Sequence, residues 1–268
     1  MNAPIDAFPL IAAVRRDDDL TALARIEFAA VAPALFAPRD PKHIAGISAS
    51  DCGRCVRELH GDLHDLLDLP DTDYLARDRG TLLGAWYAAM LKVGVGVRYP
   101  DFECILEGEA TYLGVPGHFD LAVRRRSNGA YCQVFDVKTT AAFSSRAPHV
   151  PKRDGESALY HAYQVGLYAS GLGAPLASIV SLAGAENGNL QTDYAVVGGL
   201  VYPLADGEEA VPVADVSEEI ARLRGAQVDA QPLADPQQQW RCSSCRLSSC
   251  PANRNPAKPV WPGLPVSA

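Results

Sequence analysis

Asp136 and Lys138 stand two apart in "QVFDVKTT" (133–140), inside an otherwise apolar run. On a strand, residues two apart point to the same face, so carboxylate and ammonium share a face and Val137 turns the other way, into the core. Asp120 lies sixteen residues before Asp136, in "GHFDLAV". A turn signal, "SNG" (127–129), separates the two stretches, so they read as neighbouring strands on which Asp120 and Asp136 can approach each other. Two buried carboxylates repel, and one stays protonated unless a cation joins them. Mg²⁺ answers that problem, because it is held by one or two carboxylates together with water and phosphate oxygens. A lysine beside such a cation orients a water and neutralises charge developing on a phosphate. The chemistry this trio suits is attack of an activated water on a phosphodiester. A salt bridge alone would also account for Asp136 and Lys138.

The elements that must carry these residues follow from the period of the apolar positions. "LTALARIEFAAVAPAL", with Asp residues ahead of it, predicts a helix over 18–35. "ISASDCGRCVRELHGDLHDLLDLP" opens with a Ser-rich cap and keeps helical spacing to Pro70. "DYLARDRGTLLGAWYAAMLKVG" predicts a helix over about 74–92. The period then changes, and "FECILEG", "EATYLGVPGHFDLAVRR" and "GAYCQVFDVKTT" read as a strand meander. "GESALYHAYQVGLYASGLG" returns to a helix closed by Gly171 or Gly173. "ASIVSLAGA" and "AVVGGLVYPL" read as strands, and "ADVSEEIARLR" as a short helix. This order predicts an α/β fold with a mixed central sheet flanked by helices. Three parts are expected: a helical extension over 1–44, a core over 45–225 and a tail over 226–268. The tail is rich in Pro, Gln, Cys and Ser, and a tail with so little core of its own needs a metal or docking to stay ordered.

The chain has 268 residues, 48% of them hydrophobic and 21% charged, ordinary for a globular protein with a sizeable core. No apolar span long enough to cross a membrane and no signal peptide are expected, which favours the cytoplasm. The net charge of −8 speaks weakly against nucleic acid, since phosphate contacts need Lys and Arg. Basic residues do gather at Arg124, Arg125 and Arg126, at Lys152 and Arg153, and at Arg241, Arg246, Arg254 and Lys258. The plainer reading of each group is a solvated surface.

Seven cysteines are present, and clustered cysteines without a leader favour metal binding over disulfides. Cys242, Cys245 and Cys250 sit together in "RCSSCRLSSC", which offers no apolar core to bury them. Cys52 and Cys55 lie far upstream. By spacing, Cys52, Cys55, Cys242 and Cys245 would make a tetrahedral zinc site. Cys104 and Cys132 fall in strands and read as unligated.

Taken together, these residues resemble the RecB-like branch of the PD-(D/E)xK nucleases over roughly residues 45–255. "GVPGHFDLAV" resembles that family's Gly-x-x-Asp strand, "VFDVKTT" its (D/E)-x-K strand, and Gln164 and Tyr168 in "YHAYQVGLYASGLG" its Gln-x-x-x-Tyr helix. One helical turn separates Gln164 from Tyr168, so they share a face. The resemblance implies a restriction-endonuclease-like core and a Mg²⁺- or Mn²⁺-dependent DNA exonuclease. Asp120, Asp136 and the carbonyl of Val137 would bind the metal, Lys138 would position water, and Gln164 and Tyr168 would support the site and contact DNA. Cys55 with Cys242, Cys245 and Cys250 resembles the family's iron–sulfur branch, which includes CRISPR-associated exonucleases and the AddB nuclease domain. That likeness implies a 4Fe–4S cluster stapling the tail to an N-terminal helix, in preference to zinc. It also implies DNA, single-stranded or with free ends, as substrate, in recombination or repair, phage DNA processing or spacer acquisition. A helicase, a recombinase or a CRISPR integrase would be the accompanying partner.

Two departures bear on the site. The family's Gly-x-x-x-His helix matches "GTLLGAWYAAML", where Gly84 stands at the His position. His118 would share a face with Asp120, and Glu107 or Glu109 could complete the ligand set. Without that His, a non-catalytic DNA-binding or adaptor module on the same fold is the other reading.

Overall fold

The computed structural model describes residues 4–35, 46–67, 74–140, 155–183, 189–196, 200–201, 211–228, 242, 245–247 and 249–250. The described chain begins with helices α1 (Ala7–Arg15) and α2 (Asp18–Leu35), a single 3₁₀ turn (Ala49–Asp51), α3 (Val56–Leu63) and α4 (Tyr74–Arg98). Strands β1 (Phe102–Tyr112), β2 (Val115–Arg125) and β3 (Tyr131–Thr140) follow, then α5 (Gly155–Leu172). Strands β4 (Leu176–Ala183), β5 (Asn189–Val196), β6 (Leu200–Val201) and β7 (Val211–Pro212) lead into α6 (Val213–Val228).

The strands form one sheet in sequence order. Every neighbouring pair is antiparallel except β3 and β4, which run parallel and are joined by α5 as the crossover. The fold is therefore mixed α/β, with helices on both faces of a mixed sheet, as the order of sequence periods predicts. Asn128 and Gly129 make the expected turn between β2 and β3: Asn128 Oδ1 accepts the Ala130 N–H at 3.0 Å, and Gly129 takes a φ of +69°.

Each sheet face has its own core. On one face Val115, Phe119, Ala122, Val134 and Ile179 pack against α5, α6, α3 and the segment around the 3₁₀ turn. On the other face Leu121, Val123, Phe135, Val137 and Val180 pack against α4, which is backed by α1 and α2. The N-terminus is tied to this layer through buried Gln133. Its amide accepts the Ile5 N–H at 2.7 Å, and its amide nitrogen donates to Ile5 O at 3.2 Å and to Ser178 Oγ at 2.6 Å.

Two helix boundaries differ from expectation. The helix predicted to Pro70 is only Val56–Leu63. It follows a tight turn at Gly53 (φ +71°) and gives way at Asp65 (φ +54°) to left-handed backbone that no helix continues through. Helix α4 runs on to Arg98 through "VGVGVR" despite its glycines. At Gly94 a Cβ would stand 2.9 Å from that of Leu10, so the residue is small because α1 crosses there. Tertiary burial outweighs glycine's low helix propensity. The same helix corrects the expectation of no membrane-length span. Gly80–Arg98 is long and apolar enough to cross a bilayer, but half of it is buried inside the protein, as suits a helix between two layers.

Candidate active site

Asp120 sits where β2 changes the face it presents. Val115 and Phe119 point into the α5-side core, whereas Leu121 and Val123 point into the α4-side core. Strict alternation would put Phe119 and Leu121 on one face, so the chain rotates between them. Strand β1 makes the matching rotation: Leu106 packs with the α4 side and Ala110 with the α5 side. Between them Glu107 takes a φ of +49°, a left-handed conformation uncommon for a residue with a side chain. The ladder pairs Leu106 with Leu121 and Gly108 with Phe119, which leaves Glu107 opposite Asp120.

Asp136 approaches from the other side. The β2–β3 ladder runs to Leu121 and Phe135, and the next step would pair Asp120 with Asp136. There the strands part. Asp120 Oδ2 accepts the backbone N–H of Val137, while Asp136 and Lys138 continue along β4 opposite Ile179 and Ser181. The two carboxylates thus flank a wedge where the ladder opens.

Lys138 points into the wedge. Its Nζ lies 2.8 Å from Asp136 Oδ2 and donates to Gln164 Oε1 at 3.0 Å. Gln164 Nε2 donates in turn to the Tyr168 hydroxyl at 2.7 Å. The two α5 residues therefore act as one relay that fixes the ammonium. Asp136 is only 3% exposed. Its Oδ2, close to Lys138 as it is, receives no aligned hydrogen bond. Burial, then the charge of Asp136 and that of Glu107, push the Asp120 carboxyl well above the usual carboxylate range, against the opposing pull of Lys138 and the Val137 N–H. Burial and the charge of Asp136 likewise push the Tyr168 hydroxyl well up.

The motif glycine has a steric reason. A Cβ on Gly117 would lie 2.5 Å from both the Ala49 Cβ and the Tyr168 ring. Tyr168 lies across β2 only because residue 117 has no side chain, and this is how Gln164 comes to face Lys138.

This donor set fits a hard divalent cation. It offers two carboxylates, Asp120 and Asp136, the second with one buried oxygen met by the Lys138 ammonium at 2.8 Å, and the Val137 backbone. Among the described residues no three His, Cys, Asp or Glu side chains gather as metal ligands, so any protein ligation of a cation would rest on this pair, with water filling the remaining positions. Gly84 is buried on α4, and a Cβ there would meet the Val137 carbonyl oxygen at 3.5 Å. The His position of the resembled family thus lies against the site, and glycine leaves it open. His118 is elsewhere. The face change at Asp120 turns it outward, where its Nε2 lies 3.1 Å from Glu109 Oε1 and both side chains are exposed. Of the two glutamates considered, Glu109 therefore faces away from the site, while Glu107 stands opposite Asp120 in the ladder.

Cys245 of the tail lies within electrostatic reach of Cys55 and Cys250. Cys55, Cys242, Cys245 and Cys250 are all buried. Burial, with the charges of Glu58, Cys250 and Cys55, pushes the Cys245 thiol up to about 11. Leu247, between these cysteines, packs 3.4 Å from where a Cβ on Gly61 of α3 would lie. Cys52 has other company. It belongs to the core with Ala49 and Tyr168, and burial and the charges of Glu219 and Asp51 push its thiol up. The segment carrying Cys52 and Cys55 is bolted to α6. Glu219 accepts the Gly53 N–H at 2.5 Å, and Arg222 donates to the Arg54 carbonyl at 2.9 Å and to Glu219 at 2.7 Å. Sequence reading missed this bolt, because its partners lie far apart in the chain and carry no motif.

The basic groups resolve in part. Arg124 pairs with Glu103 at 2.9 Å, and Arg126 donates to the Pro100 carbonyl at 3.1 Å, so both serve the sheet edge. Lys152, Arg153, Arg241, Arg254 and Lys258 lie outside the described residues.

No family model matches the sequence, and no curated protein matches it. Among solved structures, the chain is similar to the protein SSO0001 at 14% identity and a TM-score of 0.44, over 89% of this chain and 98% of that one. It is also similar to an alkaline exonuclease, LHK-Exo, from Laribacter hongkongensis at 9% identity and a TM-score of 0.39, over 69% and 87% of the two chains. A phage-related exonuclease from Haemophilus somnus 129PT aligns at 12% identity and a TM-score of 0.37, over 68% and 91%. Similarity at this level assigns no function, and the functional reading rests on the site itself.

Proposed function

We propose that the chain is a divalent-cation-dependent deoxyribonuclease that removes nucleotides from DNA ends, with single-stranded DNA as the preferred substrate. The observation that carries this reading is the wedge: two carboxylates brought together across β2 and β3, with a lysine held between Asp136 and Gln164. Asp120, Asp136 and the Val137 carbonyl would hold Mg²⁺ or Mn²⁺. That ion would polarise the phosphodiester and acidify an attacking water. Lys138 sets a fixed positive charge beside the place where the phosphate gathers negative charge. Gln164 and Tyr168 keep Lys138 pointed inward; both are buried, so they support the site from beneath and do not make the DNA contact expected of them.

We further propose that Cys55, Cys242, Cys245 and Cys250 hold a 4Fe–4S cluster. Such a cluster would supply a staple across the long loop between α3 and the tail. The electrostatic contact of Cys245 with Cys55 and Cys250, and the different surroundings of Cys52, favour this foursome over the zinc grouping.

Single-stranded DNA labelled at its 5′ or 3′ end, incubated with the iron-loaded protein, tests the activity. The reading expects progressive shortening from one end with Mn²⁺ and none with a chelator. Intact substrate under both conditions would refute it and leave a DNA-binding or adaptor role.

A further inference from the structure

Helix α6 carries a buried acid that belongs to no part of the Gly-x-x-Asp, Asp-x-Lys or Gln-x-x-x-Tyr pattern. Glu219 is 7% exposed. Its carboxylate accepts the Gly53 N–H at 2.5 Å and two guanidinium bonds from Arg222, each at 2.7 Å. Arg222 also donates to the Arg54 carbonyl at 2.9 Å. A buried ion pair stabilises little beyond what apolar groups of the same shape would, so its contribution lies in the arrangement it fixes. Here that is the backbone at Gly53 and Arg54.

This backbone leads to the wedge in short steps. Asp51, fully buried, takes Arg54 Nη1 at 3.0 Å on one oxygen. Its other oxygen accepts the Ser48 N–H and the Ser48 hydroxyl, each at 2.9 Å. Residues 48–54 are therefore tied into one unit. Ala49 in that unit shares a core with Tyr168, and the two close over Gly117 from different sides. The Tyr168 hydroxyl accepts Gln164 Nε2, and Gln164 Oε1 accepts Lys138 Nζ. Each link from Glu219 to Lys138 is a hydrogen bond or a packed contact.

We propose that Glu219 and Arg222 are positioning residues for Lys138, acting through residues 48–54 on Tyr168 and through Gln164 on the ammonium. The inference rests on the nuclease reading and deepens it. A shift of Tyr168 that draws Gln164 away removes one of the contacts that aim the lysine. Misplacement of a positioned group by about 1 Å, caused from afar, costs on the order of 100-fold in rate. Docking of α6 does not hang on the pair. Val216, Ile220, Leu223 and Ala226 are buried in the core. His60 and His64 of α3 donate to the Ala226 and Gln227 carbonyls at 2.8 and 3.1 Å, and Arg224 donates to the Leu113 carbonyl.

The test uses the full-length, iron-loaded protein and the double variant Glu219→Leu, Arg222→Met, which exchanges the ion pair for apolar side chains. Steady-state degradation of single-stranded DNA with Mn²⁺ is measured beside Tm, iron content and, by NMR, solvent exchange of the Gln164 side-chain amide. The expected result is near-wild-type Tm and iron, an unchanged KM and a kcat lowered roughly 10- to 100-fold. The Gln164 amide should lose its protection from exchange. Glu219→Gln, which keeps an acceptor for the Gly53 N–H, should retain most of the rate. Arg222→Lys keeps the charge and loses the planar fork; it should move kcat and exchange in the same direction, and it decides the matter if the double variant does not fold. Wild-type kcat with a protected Gln164 amide would overturn the role of the pair and leave the nuclease reading standing. A wild type that degrades no DNA would overturn the nuclease reading, while Gln164 exchange would still decide whether α6 sets the relay.

Discussion

At the scale of residues, Asp120 and Asp136 are held together against their mutual repulsion. The raised pKa of Asp120 means that the folded chain binds its proton more tightly than the unfolded chain does. Between the ordinary carboxylate pKa and the raised value, the folded state carries the extra proton. Metal-free stability is therefore fullest below the ordinary range and falls as pH rises through the raised value. A divalent cation reverses this, because it binds the ionised pair. Thermal melts with a chelator and with Mn²⁺ at a series of pH values should show a gap in Tm that widens as pH rises. A gap of constant size would mean that Asp120 does not titrate into a cation site. The gathering of Asp120, Asp136, Lys138, Gln164 and Tyr168 was legible in the sequence because the strand and helix periods fix their facing. Glu107 was legible only as one of two glutamates. A left-handed strand residue has a signature when it is glycine, and here it is glutamate. His118 was misplaced for the same reason, since the face change it depends on follows from that backbone rotation.

At the scale of elements, the segment from the 3₁₀ turn to α3 joins two regions. Ala49 lies against Gly117 and Tyr168, and Cys55 lies with the tail cysteines. Between them Asp51 is fully buried and holds Arg54 at 3.0 Å, while Glu219 and Arg222 of α6 fix the backbone at Gly53 and Arg54. The sequence read this stretch as the start of a long helix, because "SASD" resembles a cap and the later apolar spacing is helical. The true constraint comes from α6, more than 160 residues away, and no local pattern reports it. The segment also carries both candidate upstream ligands, which allows a clean test by iron content and visible absorption per folded chain. Cys55→Ser should remove the brown colour and the bound iron, whereas Cys52→Ser should keep both and lose only core packing, at a cost of about 1–3 kcal/mol for a buried hydroxyl. Loss of metal in Cys52→Ser would instead favour the zinc grouping.

At the scale of the whole molecule, the layers explain why the site lies where it does. The parallel β3–α5–β4 unit puts Gln164 and Tyr168 over the β3 residues that carry charge, and α4 closes the opposite face against Val137. The mixed sheet between helical layers was readable from the succession of periods. The docking of α1 and α2, the length of α4 and the bolt at α6 were not, because burial between layers decides them and a linear pattern does not record which layer meets which. The most direct measurement of the central claim compares wild type with Lys138→Ala over a titration of Mn²⁺, following retention of single-stranded DNA and its degradation together. If the wedge is a nuclease centre, the variant retains DNA and binds Mn²⁺ but degrades DNA at least ~100-fold more slowly, the scale of losing one positioned catalytic group. Degradation by Lys138→Ala at the wild-type rate would contradict the account.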